Sequence, residues 1–209
     1  MSRPLLITDC DEVLLHMVVP FAEWLDEAHH IHFDVDSGDF VNALRHKATG
    51  LALGHEESWP LLRGFFATEM HRQYPIDGAL EAIHDIAKVA DVIVLTNLND
   101  EEREGRIQQL RDVGVEFPVF TNQGGKGPLL TRLVADYQPT VTVFVDDLGH
   151  NHSSVAEHAP DVWRLHMVGE PRLQPRIKPH RDAHARIDDW ASARQWILER
   201  FEGGAAHGA

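Results

Sequence analysis

Two carboxylates, Asp9 and Asp11, stand two residues apart directly after the apolar run Leu5-Leu6-Ile7-Thr8. Such a run reads as a buried parallel strand, and the carboxyl ends of these strands are where open α/β sheets assemble ligand sites. Desolvating two anions side by side opposes the ionisation of both. The pair therefore calls for a neutralising cation, or for chemistry that uses one ionised and one protonated carboxyl. Other polar groups obey the same rule of position. Thr96 and Asn97 follow Val92-Ile93-Val94-Leu95, and Asp146-Asp147 closes the run Val141 to Val145. Lys126 lies in the glycine-flanked loop Gly124-Gly125-Lys126-Gly127, within plausible reach of the same edge. A cation binder, a hydroxyl, an ammonium and a nucleophile/acid pair form a constellation suited to phosphoryl transfer.

The elements expected to carry these groups alternate along the chain. Strands are expected at 5–8, 92–96, around 119–120, 141–145 and 162–167. Helices are expected at 79–89, 100–113, 128–137, 153–158 and 191–201. Gly114 suits a helix stop and Pro128 a first helical turn. Strands separated by helices imply an α/β fold with parallel pairing. Segment 15–75 shows helical periodicity and no strong strand signal, with Phe21, Trp24, Leu25, Leu44, Phe65 and Phe66 among its apolar positions. Pro171 to Pro179 is a proline-rich excursion, and 203–209 reads as a disordered tail.

Composition narrows the class. With 209 residues, 43% hydrophobic and 25% charged, the chain can bury one good core, or one core and a small appendage. A net charge of -14 argues against nucleic acid or an anionic membrane as partner, since phosphates are drawn to clustered Lys and Arg. The single cysteine, Cys10, excludes an intrachain disulfide and fits a reducing compartment. No apolar run reaches the roughly 18 residues of a spanning helix. A cytoplasmic protein is expected.

On Asp9-x-Asp11-x-Val13 after an apolar strand, Thr96 closing a second, Lys126 before a helix and Asp146-Asp147 closing a third, the chain resembles the haloacid dehalogenase-like (HAD) superfamily. The four motifs agree in order and spacing across residues 5–151. The resemblance implies a Rossmann-like parallel sheet flanked by helices, built from 1–14 and 76–202, with a small α-helical cap at 15–75. It implies that Asp9 is the nucleophile that forms an aspartyl-phosphate, and that Asp11 is the general acid/base. Mg²⁺ is the implied cofactor, held by Asp9, the Asp11 carbonyl and an acid of the last motif, Asp147 ahead of Asp146. Thr96, the backbone near Asn97 and Lys126 are the implied phosphoryl-binding groups. Two positions depart from the pattern. Glu12 stands where a small residue, often Gly, is usual, and Asn151 replaces an acid that often follows the metal-binding Asp.

Other features read as structural. Asp34 to Asp39 begins like a calcium loop, but its glycine is one position early and Arg45 occupies the twelfth place. Cys10 has no evident basic partner and reads as a small filler. The histidines at 29, 30 and 32, and at 180 and 184, read as solvated rather than as a metal site. In 15–75 the polar groups that could face a substrate are His16, Arg45, His46, Lys47 and Arg63, with Trp24, Trp59 and Phe66 as apolar contacts. Arg45 and Lys47, from the one local basic cluster, are the candidates for binding a distal anionic group.

The expected function is Mg²⁺-dependent hydrolysis of a small phosphorylated metabolite by a monomer or homodimer. A phosphomutase of the same superfamily is the nearest alternative. A catalytically silent phosphate-binding domain is the alternative from another class.

Overall fold

The computed structural model describes residues 2–37 and 43–203. The run Leu5–Thr8 forms strand β1, buried at every residue. It is buried because a strand covers each of its edges and a helical layer covers each face. In chain order the elements are β1 (Leu5–Thr8), β2 (Leu15–His16), α1 (Val18–His29), β3 (Ile31–Phe33), β4 (Leu44–His46), α2 (His55–Thr68) and β5 (Tyr74–Pro75). There follow α3 (Ala79–Ala87), β6 (Asp91–Thr96), α4 (Arg103–Asp112), β7 (Val119–Thr121), α5 (Gly127–Tyr137) and β8 (Thr142–Asp146). Last come α6 (Gly149–His158), β9 (Trp163–His166), β10 (Ala185–Arg186) and α7 (Trp190–Gly203).

Six strands make one parallel sheet in the order β10-β9-β8-β1-β6-β7. Side chains alternate between the two faces, as the strand period requires. Leu6, Val92, Val94, Val143 and Val145 join one apolar cluster with Ile83 of α3, Leu110 of α4 and Trp190 of α7. Leu5, Ile7, Ile93, Leu95 and Phe144 join the other, with Leu130 of α5 and Val155 of α6. Burying each such aliphatic side chain is worth about 1.5–3 kcal/mol. Two packed faces therefore hold the strand ends in fixed register.

A third apolar cluster belongs to segment 15–75 and includes Phe21, Trp24 and Leu25 of α1, Phe33 of β3, Leu44 of β4 and Phe65 of α2. This segment is not purely helical. β3 pairs antiparallel with β4, and β2 with β5 where the chain leaves the sheet and returns. Strands of two or three residues are too short to display a period-two pattern, so the sequence showed only the helices around them. β10 escapes for the same reason, at two residues. The helix expected at 153–158 begins earlier, at Gly149. The acidic turn at 34–39 is described only to Ser37, as a short 3-10 turn, and 204–209 of the expected tail lie outside the described residues.

Gly127, the first residue of α5, allows the close approach that seats Lys126. A Cβ there would lie 2.2 Å from the Ser154 carbonyl oxygen on α6. The Gly127 amide also donates to Ser154 Oγ at 3.0 Å. Gly127→Ala is expected to lower stability by about 1–3 kcal/mol, through a forced shift of packed backbone. Urea unfolding checks this, and an unchanged midpoint would contradict the packing described.

Candidate active site

The sheet register brings the polar strand ends together. Thr8 pairs with Val145 on β8 and with Val94 on β6, so Asp9 emerges level with Asp146 and Leu95. The Asp9 amide donates to the Val145 carbonyl at 2.8 Å. Lys126, fully buried, places Nζ 2.7 Å from Asp9 Oδ1 and 2.6 Å from Asp146 Oδ2. Carboxylate oxygens of Asp9, Asp146 and Asp147 lie within 4.8 Å of one another. Residues from three distant parts of the chain thus meet at one edge.

The two neighbouring acids are used differently. Asp146 Oδ1 accepts from the Leu148 amide and from Asn151 Nδ2, both at 2.9 Å. Its Oδ2 accepts from Lys126, and from Asn151 at 3.1 Å. Asn151 is therefore an orienting donor where an additional acid would only add repulsion. Asp147, partly exposed, has no hydrogen-bond partner for its carboxylate among the described residues. Its backbone carbonyl accepts from His166, and that of Asp146 accepts from His152.

Burial is the largest influence on these groups. It pushes Asp9 up to about 7, against the attraction of Lys126 and with the repulsion of Asp146 and Asp11. Burial, then the charges of Asp146 and Asp9, hold Asp147 well above the ordinary carboxylate range. Burial works against the Lys126 ammonium, but Asp146 and Asp9 outweigh it and raise the lysine above its usual value. At full ionisation the three acids and one lysine carry an excess of two negative charges, which one divalent cation would match. Protons take that place when no cation is bound.

Asp11 lies beside this cluster in the grip of a residue that the sequence reading missed. Arg106 of α4 donates to Asp11 Oδ1 and Oδ2 at 2.8 and 3.0 Å. Gln73, just before β5, donates to Oδ1 at 2.6 Å, and Thr96 Oγ1 lies 3.4 Å from Oδ2. Arg106 also donates to Cys10 Sγ and Gln109 Oε1. Cys10 is therefore a buried hydrogen-bond acceptor with a basic partner that the sequence did not show, and burial pushes its thiol up. A signal for Arg106 did exist. α4 is so poor in apolar residues that its inner face, Arg106, Gln109 and Leu110, must bury polar groups at helical spacing.

The remaining candidates separate. Asn97 donates to the Gly124 carbonyl and accepts from Asn122, which fixes the loop beside Thr96. A cleft of about 270 Å³ opens there, between α2 and the loops after β6 and β7, and Trp59, Arg63 and Phe66 line it with Asn97. Arg45 and Lys47 instead find their partners within segment 15–75, at the Gly50 carbonyl and Asp26. Trp24 packs on Phe21 and Phe65 in that segment's core.

Glu12 adopts a left-handed backbone, φ 57°, which explains why a small residue would suit the position. Its Oε1 accepts from the Met17 and Val18 amides at 2.8 and 2.6 Å and so serves the start of α1. Its anchored oxygen thus serves the root of segment 15–75, while its charge adds to the upward push on Asp147.

Removing Arg106 tests whether the Asp11 grip is structural. Arg106→Met leaves a nearly buried carboxylate unpaired and is expected to cost about 3 kcal/mol in chemical denaturation, the low end for a broken buried pair. Arg3→Met, at the exposed Arg3–Asp91 pair, should cost under about 1 kcal/mol. Equal losses would show that Arg106 is not holding a desolvated charge.

No known family model matches the sequence, and no curated protein matches it significantly. Solved structures do. A haloacid dehalogenase-like family hydrolase from Streptococcus pneumoniae aligns over 92% of this chain and 97% of its own, with TM-score 0.64 and 9% identity. The HAD-type protein YfnB from Bacillus subtilis, solved with magnesium, aligns over 94% and 99%, with TM-score 0.65 and 16% identity. D,D-heptose bisphosphate phosphatase from B. bronchiseptica, solved with magnesium and phosphate, aligns over 94% and 98%, with TM-score 0.57 and 12% identity. The six-stranded parallel sheet, with its polar strand ends, gives this chain the fold of the haloacid dehalogenase-like hydrolases.

Proposed function

We propose that this protein is a Mg²⁺-dependent phosphatase that hydrolyses a small phosphorylated metabolite through an aspartyl-phosphate at Asp9. The observation that carries the reading is the meeting of Asp9, Asp146 and Asp147 around a buried lysine. Three carboxylates with neighbouring oxygens are the hard donor set that suits Mg²⁺. Asp9 and Asp147 would hold the ion, while Asp146, its oxygens already occupied, orients Lys126. When bound, Mg²⁺ would offset negative charge on the phosphoryl oxygens and on Asp9.

The chain's own residues account for the other steps. An Asp9 oxygen attacks phosphorus, the bond to the ester oxygen breaks, and Asp11 gives that oxygen a proton. Asp11 then takes a proton from water, the water oxygen attacks phosphorus, and the Asp9–phosphorus bond breaks to release inorganic phosphate. Lys126, together with the bound ion, would favour the anionic form of Asp9 and aim it. Thr96 and the backbone near Asn97 would hold the phosphoryl oxygens.

Asp11 has to leave Arg106 and Gln73 to reach a leaving oxygen. Gln73 sits where segment 15–75 rejoins the sheet, so movement of that segment, acting as a cap, would control release of the acid. Arg63, lining the cleft beside Asn97, is better placed than Arg45 or Lys47 to receive a distal anion on a chain of net charge -14. That overall charge also supports a small-molecule partner over nucleic acid.

Hydrolysis of an aryl phosphate, with Mg²⁺ and after chelation, tests the activity. Asp9→Asn is expected to abolish turnover with a Tm near wild type, and retained activity would refute the nucleophile. Asp11→Asn should lower kcat by about 10²–10⁴-fold and leave Mg²⁺ binding intact. A collapse of Mg²⁺ affinity would make Asp11 a side-chain ligand instead. Because Asp9 is held up to about 7 without the ion, Mg²⁺ should bind more weakly as pH falls through that value. Calorimetry across that range checks the sign, and affinity that rises on acidification would contradict it.

A further inference from the structure

A second group of potential ligands lies at the root of segment 15–75, independent of the catalytic reading. Single ligand atoms of Glu12, His16 and Glu170 lie within 4.8 Å of one another. Glu12 and Glu170 are 2% and 5% exposed. Each carboxylate is anchored through one oxygen only. Glu12 Oε1 takes the Met17 and Val18 amides, and Glu170 Oε1 takes the Arg172 amide at 3.0 Å. Glu170 Oε2 lies 3.4 Å from His16 Nδ1. Glu12 Oε2 and His16 Nδ1 are buried with no hydrogen-bond partner.

Unpartnered polar atoms at that depth are costly, and two buried carboxylates turned toward one another more so. A satisfied core would have paired them. Instead the backbone fixes one oxygen of each carboxylate and leaves Glu12 Oε2 unpartnered, with Glu170 Oε2 at ion-pair distance from the imidazole nitrogen. We propose that Glu12, His16 and Glu170 bind one borderline transition-metal dication, of the Zn²⁺ or Mn²⁺ class, at a site distinct from Asp9 and Asp147. The imidazole favours such an ion over Mg²⁺, and three protein ligands leave a position open to water.

Its place in the fold gives the ion a purpose. Glu12 starts the chain's exit from the sheet and His16 lies on β2, the outgoing half of the two-stranded link that β5 completes. Glu170 follows β9, and the Gly169 amide already donates to the Glu12 carbonyl at 2.7 Å. An ion there would clip the outgoing link of segment 15–75 to the sheet. The left-handed Glu12 is the position that puts a ligand where Gly would offer none.

The test is Zn²⁺ titration of metal-stripped protein in saturating Mg²⁺, followed by calorimetry, with Co²⁺ absorption as a second readout. One equivalent of Zn²⁺ is expected. Its affinity should fall by at least about a hundredfold in His16→Gln and in Glu170→Gln, and persist in Asp147→Asn. In the wild type itself, bound Co²⁺ should show bands of a nitrogen-containing site and shift an imidazole proton resonance, a readout that needs no variant to fold. Absence of Zn²⁺ binding or of the imidazole shift would overturn the proposal, leaving a carboxyl pair that shares a proton. Unchanged binding in both variants would place the ion elsewhere, and loss in Asp147→Asn alone would assign it to the strand-end site.

Discussion

A lysine ammonium buried between two aspartates is the interaction on which the rest of the site depends. Removing such charges from water costs several kcal/mol per ion, recovered only where geometry and the remaining hydrogen bonds are complete. Here they are. Lys126 reaches Asp9 and Asp146, and Asn151 with the Leu148 amide fills the remaining sites on Asp146. The two apolar faces of the sheet fix β1 against β8, and the close contact of α5 with α6 at Gly127 seats the lysine. One carboxylate is left over, Asp147, together with an excess of negative charge. At full ionisation the strand-end cluster thus carries two negative charges more than its lysine offsets.

Arg106 belongs to the same charge logic. By pairing with Asp11 it neutralises that carboxylate apart from the strand-end cluster, which separates the two members of the Asp9-x-Asp11 motif into distinct environments. The pairing has a mechanical side, because Gln73 shares Asp11 and stands where segment 15–75 returns. Displacement of that segment would loosen the acid while leaving Asp9, held from the sheet side, in place. The opposite root of the segment carries Glu12, whose left-handed backbone and capping oxygen start α1. The two roots therefore impose different constraints on one segment.

The strand-end residues were legible because their logic is local. An apolar run followed by an acid, a hydroxyl or a second acid shows in the sequence, and a parallel sheet has one edge at which those ends can meet. Asn151 was legible as a departure, and the structure shows it donating to both oxygens of Asp146. Arg106 was harder to read, since a lone arginine on a charged helix looks solvated unless the helix is noticed to lack any other inner face. The short strands of segment 15–75 were hidden by length. His16 and Glu170 are 154 positions apart, and only the loop after β9 brings them together. Sequence spacing thus predicted what one sheet assembles, and missed what helix packing and loop return assemble.

The central claim is that Asp9 takes up phosphorus, and borohydride trapping tests it most directly. An acyl phosphate quenched during turnover is reduced to homoserine at the residue that carried it, which peptide mass spectrometry locates. Homoserine is expected at position 9 in the presence of Mg²⁺ and substrate, and none after chelation. Turnover with an unmodified Asp9, or with homoserine at position 11, would contradict it.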